Sequence, residues 1–168
     1  MGQAAIKQQA QGVQTAPQRK VAIIVSKGGL DEVYPALILA NAARMSGIEA
    51  FIFFTFYGLD AITERKVDNL HVNMVGNPTS PMPTMVAGLP GMENFAAKMM
   101  KSRMEDLELP GVREMLGIIG DAGAELYACE LAMKMMNTTR DDLIDGVKDV
   151  ITAGDFYDMA DGAQIIFT

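Results

Sequence analysis

Cysteine is almost absent from this chain: Cys129 is the only one in 168 residues. One thiol cannot close an internal disulfide, and a reducing, cytoplasmic setting follows as the simplest expectation. Histidine is equally scarce, with His71 alone. Neither C-x-x-C nor H-E-x-x-H spacing occurs, and there is no G-x-S-x-G elbow. No metal and no cofactor is therefore expected. Basic runs are missing as well, and the formal net charge is −7. Such a chain is a poor electrostatic match to nucleic acid. No uncharged apolar stretch approaches the ~20 residues that a membrane helix needs. The run from Ala50 to Leu59 is too short and reads as a strand with its exit. Residues 1–19 lack the charged start and apolar block of a secretory signal. Their Met-Gly start does not make a myristoylation signal, because position 6 is Ile. This stretch reads as a flexible polar Gln/Ala tail ahead of a single domain over 20–168.

What is present has the pattern of alternating strands and helices. Val21–Val25 is a short apolar run rich in β-branched residues, followed by Ser26-Lys27-Gly28-Gly29, so a strand buried on both faces is expected there. Asp31 and Glu32 suit the start of a helix, and Pro35 is tolerated near such a start. Residues 36–43 are apolar nearly all round, which predicts a helix packed on more than one side. Ser46-Gly47 stops it. Phe51–Phe56 reads as a second buried strand, completing a parallel β-α-β unit.

Regularity then fails. Leu59–Lys66 suits a short helix, but residues 71–91 carry Pro78, Pro81, Pro83 and Pro90 with three glycines, too many breakers for any regular element. Two helices follow. One spans 92–104, with Met92, Phe95, Met99 and Met100 on one face and Lys98, Lys101 and Arg103 opposite. The other spans 111–120, with Val112, Met115, Leu116 and Ile119 at helical spacing. A third strand at 124–128, a helix at 130–137, a capped turn at Thr138–Asp142, a fourth strand at 147–151, a short helix at 154–161 and a fifth strand at 163–167 complete the chain. The sum is a three-layer α/β/α arrangement with a mostly parallel sheet of about five strands. A long excursion separates strands two and three, and a crossover of that length serves as a lid, a binding element or an interface.

Four features could carry chemistry. Cys129 falls between the third strand and a helix, on the edge where open parallel sheets bind ligands. The amides of Glu130 and Leu131 at that helix start would favour its thiolate, although the carboxylate of Glu130 opposes this. The competing reading is a small buried hydrophobe, since free cysteine is among the most buried residue types. The Gly28-Gly29 turn could cradle an anion, but it is neither G-x-G-x-x-G nor a Walker A loop and equally makes a plain tight turn. Methionine is abundant: eight of the fourteen lie between Met74 and Met115. They offer adaptable apolar surface for an oligomer interface or a cover, or, less readily, ligands for Cu(I). His71 has no motif linking it to Cys129, so a packed or surface role fits it better than thiol hydrolase chemistry.

Five stretches together resemble the DsrE/DsrF/DsrH-like sulfur-trafficking proteins, in particular the soluble DsrE2/DsrE3-type branch. They are Lys20–Gly29, Phe53–Leu59, Leu89–Glu93 with its methionine-rich helix, Gly123–Met133 and Asp142–Val147. Their order and spacing span residues 20–168. The resemblance implies a three-layer DsrE/F-like fold, homo-oligomers, and a cysteine, matching Cys129, that accepts and passes on sulfane sulfur as a persulfide. It also implies relay partners such as TusA-like carriers and rhodanese-like proteins. Some relatives have further cysteines, so a resolving thiol here must come from another molecule. Some have membrane helices, and this sequence shows none. Beside a sulfur carrier or sulfurtransferase stands a second possibility: a non-catalytic oligomeric binding or assembly protein that uses the fold and its Met-rich surface.

Overall fold

The computed structural model describes residues 19–72 and 92–168. Two expectations fall outside this range: the polar tail ahead of Arg19, and the breaker-rich stretch of the excursion with Met74, Met82 and Met85.

Five parallel strands form one sheet: β1 (Lys20–Val25), β2 (Glu49–Phe54), β3 (Glu125–Cys129), β4 (Val147–Ile151) and β5 (Gln164–Phe167), in the spatial order β4-β3-β2-β1-β5. Helix α1 (Leu30–Met45) joins β1 to β2, and α2 (Met92–Asp106) and α3 (Val112–Asp121) lie on the way from β2 to β3. The short helices α4 (Glu130–Met135) and α5 (Ala153–Met159) follow β3 and β4. Crossovers in parallel sheets are right-handed. The steps from β1 through β4 all advance in one direction across the sheet, so their helices share one face. The step from β4 to β5 runs back, which puts α5 on the other.

The sequence explains the burial. Strand β2 stands third of five, and its residues Ala50–Phe54 are all buried. A strand covered on both faces has no place for polar alternation, hence the continuous run Ala-Phe-Ile-Phe-Phe. On the α5 face Phe156 packs against Phe51 at 5.7 Å and Phe53 at 5.1 Å between ring centroids. Tyr127 meets Phe51 edge-on at 6.0 Å, a geometry that aromatic quadrupoles favour. On the other face α1 packs on β1, β2 and α3. Tyr34 ties that layer together by donating from its hydroxyl to the Pro110 carbonyl at 2.8 Å. Arg44 does the same at the far end of α1, donating to the carbonyls of Ala122 (2.8 Å) and Ile48 (3.1 Å).

Several expected elements shift. Where a helix over Leu59–Lys66 was expected, the chain forms a 3₁₀ helix at Phe56–Ile62 and a second at Val67–Asn69. Pro35 lies inside α1, at its sixth residue. In α2 the inward residues are Ala96 and Ala97, with Met100 and Met104 packed beside them, while Phe95 is 60% exposed. The methionine spacing pointed one residue off this face. Alanines let the helix lie closer to its neighbours than Phe95 would. By contrast, Val112, Met115, Leu116 and Ile119 of α3 are all buried.

Two carboxylates cap short elements. Asp142 accepts from the backbone N–H and hydroxyl of Thr139, both at 2.8 Å. Asp155 accepts from the N–H (2.9 Å) and hydroxyl (2.7 Å) of Thr152, and its own N–H donates back to the Thr152 hydroxyl oxygen. These are reciprocal capping boxes. Backbone donation from Thr139 lowers the Asp142 pKa, and donation from the Thr152 side chain lowers that of Asp155. Both carboxyls are therefore stronger acids folded than unfolded, and the unfolded chain binds more protons. The stability they supply is present above the ordinary carboxylate range and is lost as pH falls through it. In urea titrations followed by circular dichroism, the midpoint should hold level above about pH 6 and fall below about pH 4.5. Asp155→Asn should lower the neutral midpoint and make the acid limb shallower. An unchanged acid slope in that variant would remove Asp155 from the account.

Candidate functional site

Cys129 is the last residue of β3 and the N-cap of α4, with φ −77° and ψ 118°. Its residue surface is 8% exposed. Strand register places it opposite Ile151 of β4. Alternation along β3 gives it the parity of Tyr127, and so the α5 face. The backbone turns into α5 two residues beyond Ile151, so the thiol lies where two strands end and a third layer begins. This is the carboxyl edge of a parallel sheet, the usual location of ligand chemistry in such folds.

Its surroundings can be built residue by residue. Glu130, which threatened to oppose a thiolate, is paired with Lys134 one turn along α4. The pair removes the uncompensated negative charge beside Cys129. Leu131 is exposed. The Cys129 side chain makes no cap hydrogen bond to the start of α4. A helix of six residues also carries a weak dipole.

The β2 exit forms the next wall. Phe56 follows it in the left-handed region, with φ 46°, a rare conformation for a bulky residue. Gly58 then passes directly over β1: a Cβ placed there would sit 2.1 Å from the Val25 carbonyl oxygen. The same carbonyl accepts from Thr55 N–H at 2.9 Å. Only glycine permits this close approach. The result is a sharp fold-over that sets the 3₁₀ helix Phe56–Ile62 against α4.

The Gly28-Gly29 turn lies on the same edge but faces a different space. It lines a cavity of about 770 Å³ with Lys27, Tyr57, Asp60, Lys66 and His71, and Cys129 is not in that lining. Between the two runs β2, and two strand spacings amount to about 10 Å. The cavity's charges are largely matched: Lys27 pairs with Glu32 at 3.2 Å and Lys66 with Asp60 at 2.6 Å. At Gly29, the N-cap of α1, a Cβ would lie 2.8 Å from an Asp31 carboxylate oxygen and 2.9 Å from one of Glu32. The carboxylates of Asp31 and Glu32 therefore lie close beside the Gly29 backbone at the start of α1. His71 is exposed on this cavity, and its carbonyl accepts from Leu30 N–H at 2.8 Å. Among the described residues no group of His, Cys, Asp and Glu is arranged to hold a metal ion.

One cluster went unread in the sequence. Glu125 accepts from the Tyr127 hydroxyl at 2.7 Å and pairs with Lys148, whose ammonium stands 5.9 Å from the Tyr127 ring centre. The Lys148 hydrogen bond lowers the Glu125 pKa, while burial raises that of Tyr127. The i, i+2 spacing of Glu125 and Tyr127 was the available signal. Lys148 reaches them because the β3–β4 register shifts between Leu126 and Tyr127.

A three-layer parallel α/β fold with one thiol on its carboxyl edge defines the class, and comparison with known proteins defines the family. The model of the DsrE/DsrF/DrsH-like family matches residues 17–167, and the chain belongs to that family. It is 35% identical over 156 residues to the sulfur carrier protein DsrE2 of Allochromatium vinosum, covering 88% of this chain and 96% of that one. It is 23% identical to the uncharacterized protein YrkE of Bacillus subtilis, across 91% and 99% of the two chains. Among solved structures, MTH1491 of Methanobacterium thermoautotrophicum and ychN of E. coli superpose with TM-scores of 0.55 and 0.54 at 10% and 16% identity. Each covers 89% of this chain and is itself 99% covered. These two share the fold. No helix among the described residues is long and apolar enough to cross a membrane.

The β2 exit yields a test. Gly58→Ala forces a methyl group into the Val25 carbonyl, which is backbone and cannot rotate away. The expected cost is about 2–3 kcal/mol in urea unfolding. A variant as stable as the parent would show that the fold-over is not a fixed point of this edge.

Proposed function

We propose that the protein is a sulfur carrier that holds sulfane sulfur as a persulfide on Cys129. The observation that carries the reading is a lone thiol at the carboxyl end of a central strand, in a chain 35% identical to a sulfur carrier protein. In the accepting step the Cys129 thiolate attacks the outer sulfur of a donor persulfide. A new S–S bond forms on Sγ, the donor's S–S bond breaks, and the donor leaves as a thiolate with the electron pair. Nothing is oxidised or reduced overall, so no cofactor takes part. Donation is the same exchange run toward an acceptor thiolate. The terminal sulfur stands about 2 Å beyond Sγ, which brings the cargo outward from a thiol that is itself nearly covered. The partners are carriers of TusA-like or rhodanese-like kind. The Glu130–Lys134 pair leaves the approach to the thiol electrically quiet. A reducing cytoplasmic setting and self-association belong to the same reading.

A second reading keeps the fold as a binding or assembly module, with Cys129 as core. Its support is the burial of that residue. The experiment is intact-protein mass spectrometry after incubation with thiosulfate, polysulfide or a persulfidated carrier protein. The expected result is a gain of one sulfur atom that dithiothreitol removes and that Cys129→Ser abolishes. An adduct of equal yield on Cys129→Ser, or none under any donor, would reject the carrier reading. Rapid alkylation of Cys129 in the native protein at neutral pH would reject the binding-module reading.

A further inference from the structure

Thr55 is the first residue beyond β2, on the edge that carries Cys129. Strand register pairs Phe53 with Tyr127 and Phe54 with Ala128. Thr55 stays extended, with φ −135° and ψ 159°, and its N–H still donates to the Val25 carbonyl of β1 at 2.9 Å. The register therefore runs on by one residue and sets Thr55 beside Cys129. Side chains alternate along a strand, so Thr55 follows Phe51 and Phe53 onto the α5 face, as Cys129 follows Tyr127. The two are lateral neighbours on strands about 4.8 Å apart. On its other side the thiol has Ile151, whose side chain carries no polar atom.

The Thr55 hydroxyl is uncommitted. It is partly buried, makes no cap bond to the 3₁₀ helix that it precedes, and has no hydrogen-bond partner among the described residues. Thr139 and Thr152 also precede short helices, and their hydroxyls are held by the carboxylates of Asp142 and Asp155 three residues on. Three residues beyond Thr55 stands Gly58, which has no side chain to close such a box. Its N–H is spent on the Thr55 carbonyl at 2.9 Å. The close approach to the Val25 carbonyl that demands glycine at this position thus also leaves a hydroxyl without a partner next to the thiol.

We propose that Thr55 is a second residue of the Cys129 site: its hydroxyl rotates onto Sγ and donates a hydrogen bond to the thiolate. The proposal deepens the sulfur-carrier reading and rests on it for the purpose of the contact. A donor to the charged form favours ionisation, and the thiolate is the form that attacks. The side chain of Cys129 has no cap bond at the start of α4, and Glu130 is taken up by Lys134, so Thr55 is the side-chain donor that strand geometry brings to the sulfur. The hydroxyl keeps its own proton throughout, and the exchange stays a displacement of one thiolate by another. A neutral donor also lacks the Coulomb hold of an ammonium on a sulfur anion, which leaves the cargo able to depart.

The test is the rate of Cys129 alkylation by iodoacetamide in the full chain, followed from about pH 5 to pH 10 in the parent, Thr55→Val and Thr55→Ser. Cys129 is the only thiol, so every adduct reports on it. Valine keeps the branching and strand preference of threonine and removes the hydroxyl. At pH 7, Thr55→Val should react about three- to tenfold more slowly, the loss that follows when a thiolate gives up one charge-assisted hydrogen bond. The deficit should close at the alkaline end, where the thiol ionises with or without the hydroxyl and the less stabilised thiolate is the better nucleophile. Thr55→Ser should follow the parent within about twofold at every pH, because it restores the donor. A deficit of equal size at all pH values reports blocked access and would overturn the proposal. So would the absence of a deficit, or a Thr55→Ser profile that matches Thr55→Val. Thr55→Cys tests the adjacency whether or not Thr55→Val folds: dibromobimane should bridge positions 55 and 129 within one chain, read by intact mass, and two separate single-arm adducts would overturn the proposal. Sulfur loading of the parent is measured beside these. A parent that loads nothing rejects the carrier reading, whereas a parent that loads while the three profiles coincide rejects only the place of Thr55.

Discussion

Everything on the carboxyl edge is referred to β2. This strand lies between β1 and β3, is covered on both faces, and sets the register of each. Its side chains split the interior into two layers, Ile52 and Phe54 on one face and Phe51 and Phe53 on the other. Its exit crosses β1 so closely that only a glycine fits over the Val25 carbonyl. The end of β2 thus separates the Gly28-Gly29 cavity from the Cys129 edge. Two candidate regions that share a sheet edge are held apart by one buried strand.

That separation shapes the chemistry available to the thiol. The chain has no second cysteine, and among the described residues His71 and the Gly28-Gly29 turn line a cavity that does not include Cys129. Its neighbouring carboxylate is neutralised within its own helix by Lys134. Such a site suits exchange with a sulfur brought by another molecule, where the reacting partner supplies half of the geometry. The cluster of Glu125, Tyr127 and Lys148 lies toward the opposite end of β3 from the thiol and has a structural part: it closes the β3–β4 register shift with matched charges.

Much of the fold was legible because its signals are local. Val147–Ile151 was read as a strand with its observed bounds, and the apolar face of α3 was read residue for residue. The Thr139–Asp142 cap was visible as a spacing of three. Where the reading slipped, the deciding contact was distant. The methionine pattern of α2 suggested a face that the close approach of Ala96 and Ala97 overrides. The helix expected over Leu59–Lys66 became a 3₁₀ turn because the Gly58–Val25 approach twists the chain at its start. At the site, the position of Cys129 followed from the strand-helix alternation. Its distance from the Gly28-Gly29 turn did not, since spatial strand order is not written in sequence order.

The order β4-β3-β2-β1-β5 has a consequence for how the chain is made. The first strand and the last are neighbours, and Ser26 is bonded to Thr168 across a separation of 142 residues. During synthesis, β1, β2 and β3 can assemble in sequence, yet the outer edge of β1 stays open until residue 164 and those after it have emerged. Until then the nascent sheet presents an unpaired, apolar strand edge, the feature most prone to mispairing with other chains. Non-local closure of this kind is also slow. Strand β5 is thus a seal applied after the other four, and a truncation that removes it uncovers the apolar edge of β1.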